Sequence, residues 1–193
     1  MDLNLLLFDG FQSLDLFGPL DVLARIPGCV PRSFSLRGGP VKNNAGMQVL
    51  TEPSSEVAPS GVLLIPGGMG TRPLSTDAPF LAEVKRLAES SEWCLSVCTG
   101  SVLLAASGAL DGRRATSNKY SFSWVERFKG PVWQRSARWV VDGKFYTASG
   151  VAAGIDMAFG FVEDRLGKET SDAFARRMEY VRNPDPENDP FRV

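Results

Sequence analysis

Three short, largely apolar runs, each followed by a turn, constrain the fold of this chain more than any other feature. They are Leu3 to Phe8, Gly61 to Pro66 and Trp93 to Val97. Runs of this length are typical of strands buried on both faces of a parallel sheet. Leucines then recur at helical spacing from Ser13 onward, and a further helix is expected from Thr99 to Ser107. We therefore predict an α/β sandwich with a mainly parallel sheet, whose ligands bind at the carboxyl ends of the strands.

The rest of the chain predicts two smaller strand pairs and several helices. Arg32 to Leu36 and Met47 to Leu50 are interpreted as short strands of an edge or side hairpin, and an Asp-Gly pair marks the turn of a second hairpin within Arg138 to Thr147. A brief strand is expected near Arg114, whereas the tail from Asn183 is too rich in Pro and Asp to be helical. Further helices are predicted at Pro79 to Ser90, Tyr120 to Phe128, Val151 to Leu166 and Glu169 to Val181.

Composition excludes several classes of partner. The 193 residues suit one domain spanning 1–193. A total of 21 Lys and Arg against 22 Asp and Glu, without a basic run, argues against nucleic acid as a partner. The amino terminus lacks the basic region of a signal peptide, and no apolar run approaches the roughly 20 residues that cross a bilayer. A cytoplasmic protein without a membrane partner is therefore expected.

The absence of histidine limits the chemistry more than any other count. The chain has 0 His and 3 Cys, so every Cys-His or Ser-His pair is excluded. Zinc would require Cys and carboxylates at spacings that are absent, so no metal is expected. The Gly-Gly-Met-Gly run at 67–70 lacks the lysine of a phosphate-binding loop, and no nucleotide or other cofactor is expected. Cys29, Cys94 and Cys98 are predicted to be free thiols.

Cys98 follows the third apolar run at the predicted junction of strand and helix. Ser96 lies two residues before it and Gly100 two residues after it. Small residues at these positions are required by a nucleophile elbow, where the backbone turns sharply and exposes one side chain. A helix amino terminus would also favour thiolate over thiol. The alternative is that Cys98 is an ordinary core residue, which is the interpretation that we adopt for Cys94.

Without histidine, the candidates for proton transfer beside a thiol are carboxylates. Asp15 begins the first helix just beyond the first strand, a place where an acid is also common simply because it stabilises the helix dipole. Asp9 ends the first strand but is more simply a turn former. The amides of Gly67, Gly68 and Thr99 are candidate donors to a developing negative charge, although glycines after a strand equally make an ordinary turn.

Four segments together resemble the ThiJ/PfpI superfamily, whose members are similar to class I glutamine amidotransferases. They are "LLFDGFQSLDLFGPLDVL", "LLIPGGMG", "LSVCTGSVLLAASGALDGRRATSN" and "TASGVAAGIDMAFGFVEDRLG". The resemblance implies a flavodoxin-like sandwich that forms a homodimer. It also implies that Cys98 is the nucleophile, that Asp15 hydrogen-bonds its sulfur, and that Gly68 and Thr99 line the oxyanion hole, with Asn118 in the pocket.

Within the superfamily, "LDLFGP" and "CTG" resemble the isocyanide hydratase branch. Where many members carry a histidine, this chain reads Thr-Ser-Asn at 116–118. The resemblance implies that a small electrophile, an isocyanide, is hydrated to an N-formamide through a thioimidate on Cys98, with Asp15 donating and accepting protons and Thr99 supplying a neighbouring hydroxyl. The alternative is a redox or electrophile sensor without multiple turnover, because an accessible thiolate is also what oxidation requires.

Overall fold

The computed structural model describes all 193 residues. Its ten strands are β1 (Asp2–Leu6), β2 (Val30–Ser35), β3 (Gly39–Lys42), β4 (Gln48–Pro53), β5 (Val62–Ile65), β6 (Trp93–Val97), β7 (Arg114–Ala115), β8 (Val132–Trp133), β9 (Trp139–Asp142) and β10 (Phe145–Ala148). Its seven α-helices are α1 (Ser13–Leu23), α2 (Thr71–Leu74), α3 (Ala78–Ser90), α4 (Gly100–Ala106), α5 (Phe122–Val125), α6 (Ala153–Leu166) and α7 (Lys168–Arg177).

Eight strands form one mixed, mainly parallel sheet in the order β3-β4-β2-β1-β5-β6-β10-β9. The strands from β4 to β10 in that order pair in parallel, and an antiparallel strand closes each edge. Helix α6 contacts both α1 and α7, and α4 contacts both α2 and α3. The helices cover both sides of the sheet, so the predicted α/β sandwich is confirmed.

The core is one cluster of 40 buried residues between these layers. All four residues of β5, from Val62 to Ile65, are buried, as the continuous apolar run predicts for a strand covered on both faces. Helix α3 begins at an Asp77 side chain that caps the amide of Phe80 at 3.0 Å, and it buries Phe80, Val84 and Leu87 on one side.

The predicted hairpin between Arg32 to Leu36 and Met47 to Leu50 is wrong. The strands β2 and β4 pair in parallel, with Phe34 opposite Glu52, and the hairpin is made by β3 and β4. Strand β2 lies inside the main sheet beside β1, where Phe34 is buried in the core. Gly39 and Pro40 begin β3, and their weak strand propensity conceals it in the sequence.

Other boundaries differ from the predictions by a few residues. The hairpin within Arg138 to Thr147 is confirmed as β9 and β10, and the tail beyond Arg177 contains no helix. The brief strand β7 pairs with β8 in a separate two-stranded sheet, and α5 is shorter than predicted. None of the helices combines the length and the apolar character that are needed to cross a bilayer.

Candidate active site

Cys98 occupies a sharp turn between β6 and α4. Its φ is 56°, a left-handed conformation that is uncommon for any residue except glycine. Its N–H donates to the carbonyl oxygens of Ala148 and Ser149, at 3.1 and 3.0 Å. Its own carbonyl accepts from the hydroxyls of Ser101 at 3.0 Å and Ser117 at 2.8 Å. The peptide groups of Cys98 are therefore fully bonded, and these bonds hold the strained turn in place.

Close packing requires a small residue at Gly100, two positions after Cys98. A Cβ added to Gly100 would lie 2.4 Å from the carbonyl oxygen of Ile65 and 2.8 Å from that of Pro66. Helix α4 therefore starts directly against the end of β5. The predicted elbow spacing thus has a steric basis, because a larger side chain at position 100 would push the helix away from the sheet.

Asp15 projects from the first turn of α1 toward the elbow, and its side chain is fully buried. Oδ2 accepts a 3.0 Å hydrogen bond from the N–H of Gly67. Oδ1 has no hydrogen-bond partner, and the thiol of Cys98 lies near enough to lower the pKa of the carboxyl group. The structure therefore brings the predicted acid and the predicted nucleophile close together.

Burial raises the pKa values of both Asp15 and Cys98. Loss of hydration raises the pKa of Asp15 to about 7, while the Gly67 amide and the Cys98 thiol partly oppose the shift. Burial and the nearby Asp15 raise the pKa of the Cys98 thiol to about 12. Burial thus opposes the helix terminus, which favours the thiolate, and Asp15 is positioned to accept the proton of the Cys98 thiol.

Thr99 contacts the sulfur and connects it to the neighbouring loop. Its amide and its hydroxyl both hydrogen-bond Cys98 and favour the thiolate, as does the amide of Val151. The Thr99 hydroxyl also receives hydrogen bonds from the amide of Gly68, at 3.1 Å, and from the hydroxyl of Thr71, at 3.0 Å. Three donors thus face the sulfur, and they would stabilise negative charge as it develops there.

The two glycines that were candidate oxyanion donors have other partners in this structure. The amide of Gly67 is bound to Asp15, and the amide of Gly68 is bound to the Thr99 hydroxyl. A Cβ at Gly67 would lie 2.6 Å from the Thr99 nitrogen and 2.9 Å from Oδ2 of Asp15. Glycine at position 67 therefore allows the loop after β5 to pack between the acid and the elbow.

Cys98 opens into a pocket of about 370 Å³. The sulfur-bearing residue is only 7% exposed and lies on the pocket wall with Asn118, whose Oδ1 accepts from the Ser121 amide at 2.9 Å. Lys119 turns away, and its ammonium group donates to the Ala137 carbonyl at 2.7 Å. The pocket is lined by Gln12, Gly68, Met69, Arg72, Cys98, Thr99, Asn118, Tyr120, Ser121 and Val151.

The other thiols and Asp9 lie outside this pocket. Cys94 is fully buried in β6, and burial raises its pKa to about 12, as expected of a core residue. Cys29 is half-buried. One oxygen of Asp9 accepts from the Lys42 amide at 2.8 Å, which agrees with the interpretation of Asp9 as a turn former. No group of three or more Cys, Asp or Glu residues is arranged to hold a metal ion.

A comparison with protein-family models gives a match over residues 2–164, to the DJ-1/PfpI family. The chain belongs to the DJ-1/PfpI family. This confirms the resemblance that the four sequence segments indicated. The matched range runs from the start of β1 almost to the end of α6, and so contains Asp15, the glycine loop and Cys98.

The chain is similar to several individual proteins over most of its length. Isonitrile hydratase of Pseudomonas putida is 33% identical over 186 residues, which cover 95% of this chain and 80% of the hydratase. A ThiJ/PfpI family protein from Pseudomonas syringae superposes with a TM-score of 0.86 at 27% identity, covering 95% of this chain and 76% of that one. DJ-1beta of Drosophila melanogaster shares the fold, with a TM-score of 0.78 at 20% identity over 93% of this chain and 98% of its own.

Several residues of this DJ-1/PfpI site are not evident from sequence reasoning. Thr71 binds both the carbonyl of Gly68, at 2.7 Å, and the Thr99 hydroxyl, and Ser117 binds the Cys98 carbonyl. Val151 supplies its amide to the sulfur from a residue 53 positions away in the chain. Hydroxyl residues directly after the glycine loop and after β7 are the only signal, and that pattern is too common to single them out.

Proposed function

We propose that this protein hydrates isocyanides to N-formamides, with Cys98 as the nucleophile and Asp15 as the proton carrier. The observation that carries the proposal is the buried Asp15 carboxyl group lying beside the buried Cys98 thiol in a chain without histidine. Such a pair can perform acid-base and nucleophilic chemistry without a third residue. The relationship to isonitrile hydratase of Pseudomonas putida supports an isocyanide as the electrophile.

The first stage forms a covalent adduct. Asp15 accepts the thiol proton while the sulfur of Cys98 attacks the terminal isocyanide carbon. The same proton is then delivered from Asp15 to that carbon, which gives a thioimidate, R–N=CH–S–Cys98. Asp15 suits both transfers because its pKa of about 7 lies near neutral pH. The amides of Thr99 and Val151 stabilise the sulfur while it carries negative charge.

The second stage consumes one water molecule. Asp15 removes a proton from water as the hydroxide adds to the thioimidate carbon, and it returns that proton to the nitrogen. The adduct R–NH–CH(OH)–S–Cys98 then collapses: the C–S bond breaks, the hydroxyl proton passes through Asp15 to sulfur, and R–NH–CHO leaves. No electrons are gained or lost overall, so the reaction requires no redox cofactor.

A sensor is the second candidate function, and the site favours it less. Oxidation of a cysteine follows thiolate character and exposure. Cys98 is 7% exposed, and burial beside Asp15 raises its pKa to about 12. We infer that peroxide reacts slowly with this thiol, whereas a small neutral electrophile that enters the pocket can receive the proton that Asp15 carries.

The remaining expectations from the sequence belong to the same proposal. They are one domain over residues 1–193, a cytoplasmic homodimer, and no cofactor, nucleic acid or membrane partner. Leu14 and Phe17 on α1 are 41% and 42% exposed, and a homodimer interface on this helix would bury these apolar side chains. Sedimentation equilibrium of the purified protein measures the oligomeric state, and a monomer at micromolar concentration would contradict it.

The test of the function is formamide production from small aryl and alkyl isocyanides under reducing conditions. We expect multiple turnovers by the wild type, none by Cys98→Ser, and a roughly 100-fold or greater loss in Asp15→Asn. Cys29→Ser is the control, because it removes a half-buried thiol outside the pocket, and it should retain full activity. Unchanged turnover in Cys98→Ser would exclude this mechanism.

A further inference from the structure

Arg72 is the one charged side chain that lines the Cys98 pocket. Acidic partners neutralise many other arginines of the chain, but none of its ion pairs includes Arg72. The guanidinium group makes a single hydrogen bond, from Nη2 to the Ser121 hydroxyl at 3.3 Å. Because a guanidinium carries five N–H donors, most of them have no protein acceptor and remain available to a ligand.

Both the side chain and the neighbouring backbone of Arg72 are fixed by contacts. Its Cζ lies 3.7 Å from the centroid of the Trp124 ring, a stacked contact that occupies the flat face of the guanidinium and leaves its edge available. Thr71, the preceding residue, is fully buried and is tied to both Gly68 and Thr99. The backbone that carries Arg72 is therefore attached to the loop and the elbow that position Cys98.

We infer that Arg72 selects a substrate that carries a carboxylate, so that the isocyanide hydrated at Cys98 is a small isocyano acid. This inference rests on the proposed function and names its substrate class. The edge of a guanidinium matches a carboxylate with two parallel hydrogen bonds. A single cation balances one negative charge, whereas a phosphate ester would require a second cation. Lys119, the neighbouring candidate, is bound to the carbonyl of Ala137 and lies outside the pocket lining.

The size of the pocket agrees with this class. A volume of about 370 Å³ lies near the lower end of the range for small-molecule sites. The reacting carbon of a bound isocyanide must reach Cys98, and the nearby Asp15 carboxylate would repel a carboxylate of the substrate, whereas Arg72 would attract it. The two charges would therefore favour one orientation of the substrate.

The first experiment compares isocyanoacetate with its neutral methyl ester as substrates. We expect the wild type to prefer the acid in kcat/KM. Arg72→Gln should reduce that preference roughly 10- to 100-fold, mainly through KM, while it retains turnover of the ester. Arg72→Lys should restore only part of the preference, because an ammonium group lacks the planar fork. Arg37→Gln, which removes an exposed arginine lining a separate groove, is the control and should keep the wild-type ratio.

Alkylation of Cys98 tests the cation without any isocyanide. The rate constants for iodoacetate and iodoacetamide are measured at pH 8 in a Cys29→Ser background, since Cys94 is fully buried. Both reagents form the same S–CH₂ bond and release iodide, but only one carries a carboxylate. We expect the iodoacetate-to-iodoacetamide ratio to fall about tenfold in Arg72→Gln and to stay unchanged in Arg37→Gln.

The two experiments distinguish the proposed hydratase function from the proposed carboxylate selectivity of Arg72. If no isocyanide is hydrated but the alkylation ratio depends on Arg72, the proposed function fails and the carboxylate selectivity stands for another electrophile. If the ester and the acid are hydrated equally, and Arg72→Gln changes neither ratio, the selectivity inference is overturned while the hydratase proposal stands.

Discussion

The N–H of Gly67 donates a 3.0 Å hydrogen bond to Oδ2 of Asp15, across 52 positions of sequence. This contact joins the loop after β5 to the first turn of α1. It holds the carboxylate beside the thiol of Cys98, which follows β6. Because β1, β5 and β6 are adjacent and parallel, their carboxyl ends meet at one edge of the sheet, and the three segments that follow them supply the acid, the loop and the nucleophile.

The buried Asp15 should make stability depend on pH. Its pKa rises from 3.8 to about 7 on folding, so the folded state holds the proton that the unfolded chain releases. Stability is therefore greatest below the unfolded pKa and is lost as pH rises through the folded value. Urea unfolding of wild type and Asp15→Asn at pH 5 and pH 8 measures this. We expect the wild type to lose roughly 2–3 kcal/mol more than the variant. Equal pH dependence in both proteins would show that Asp15 ionises normally.

Replacement of Gly67 by alanine should disable the site. The new Cβ would lie within 3.0 Å of both the Thr99 backbone and the Asp15 carboxylate, so the loop or the acid must move. Displacements of about 1 Å at reacting groups cost roughly 100-fold in rate, and we expect a loss of that size in formamide production. Gly28→Ala is the control, because a Cβ there meets nothing within 4 Å; its φ of 73° should cost about 1 kcal/mol of stability, but Gly28 lies outside the pocket and activity should be retained. Full activity of Gly67→Ala would show that the loop after β5 does not pack tightly between Asp15 and the elbow.

The left-handed turn at Cys98 should appear as stored strain. At a φ of 56°, a Cβ is unfavourable, so Cys98→Gly should be more stable than Cys98→Ala by about 1 kcal/mol, although both are inactive. The same pair of substitutions at Cys94, inside β6, should show the opposite order, since glycine weakens an ordinary strand. Chemical denaturation of the four variants measures this, and the same order at both positions would argue against strain at the elbow.

Removal of the buried Arg138, which precedes β9 and lies beside Asp189 of the carboxyl-terminal tail, should be strongly destabilising. Arg138 pairs with Asp156 at 2.6 Å and lies 3.9 Å from Asp189, and both carboxylates are 1% exposed. Arg138→Met leaves two buried charges without their cation and should cost about 3–5 kcal/mol in urea unfolding. Arg25→Met, which breaks a pair with the exposed Asp21, should cost less than about 1 kcal/mol. Similar losses in the two variants would mean that the tail does not bury this cluster in solution.

The strands and helices with continuous patterns were predictable because their signals are local. Strand β6 begins and ends where its apolar run does, and the elbow at Cys98 follows from two small residues at fixed spacing. Strand β3 was missed because Gly39 and Pro40 disfavour strands, and its partner β4 was therefore assigned to the wrong neighbour. Pairing between strands depends on long-range contacts, which periodicity does not contain.

The residues of the candidate site also fall into two groups: those that the sequence predicts and those that only the tertiary structure reveals. The sequence alone identifies a cysteine at an elbow, an acid at a helix start and the absence of histidine, because these depend on residue type and local spacing. Only the tertiary structure shows that the Gly67 amide serves Asp15, that Val151 and Thr71 join the network, and that Arg72 stands without a counter-ion in the pocket wall. Only the assembled layers also bury Cys98 beside a carboxylate, which raises the pKa of the thiol and so opposes the local helix terminus that favours a thiolate.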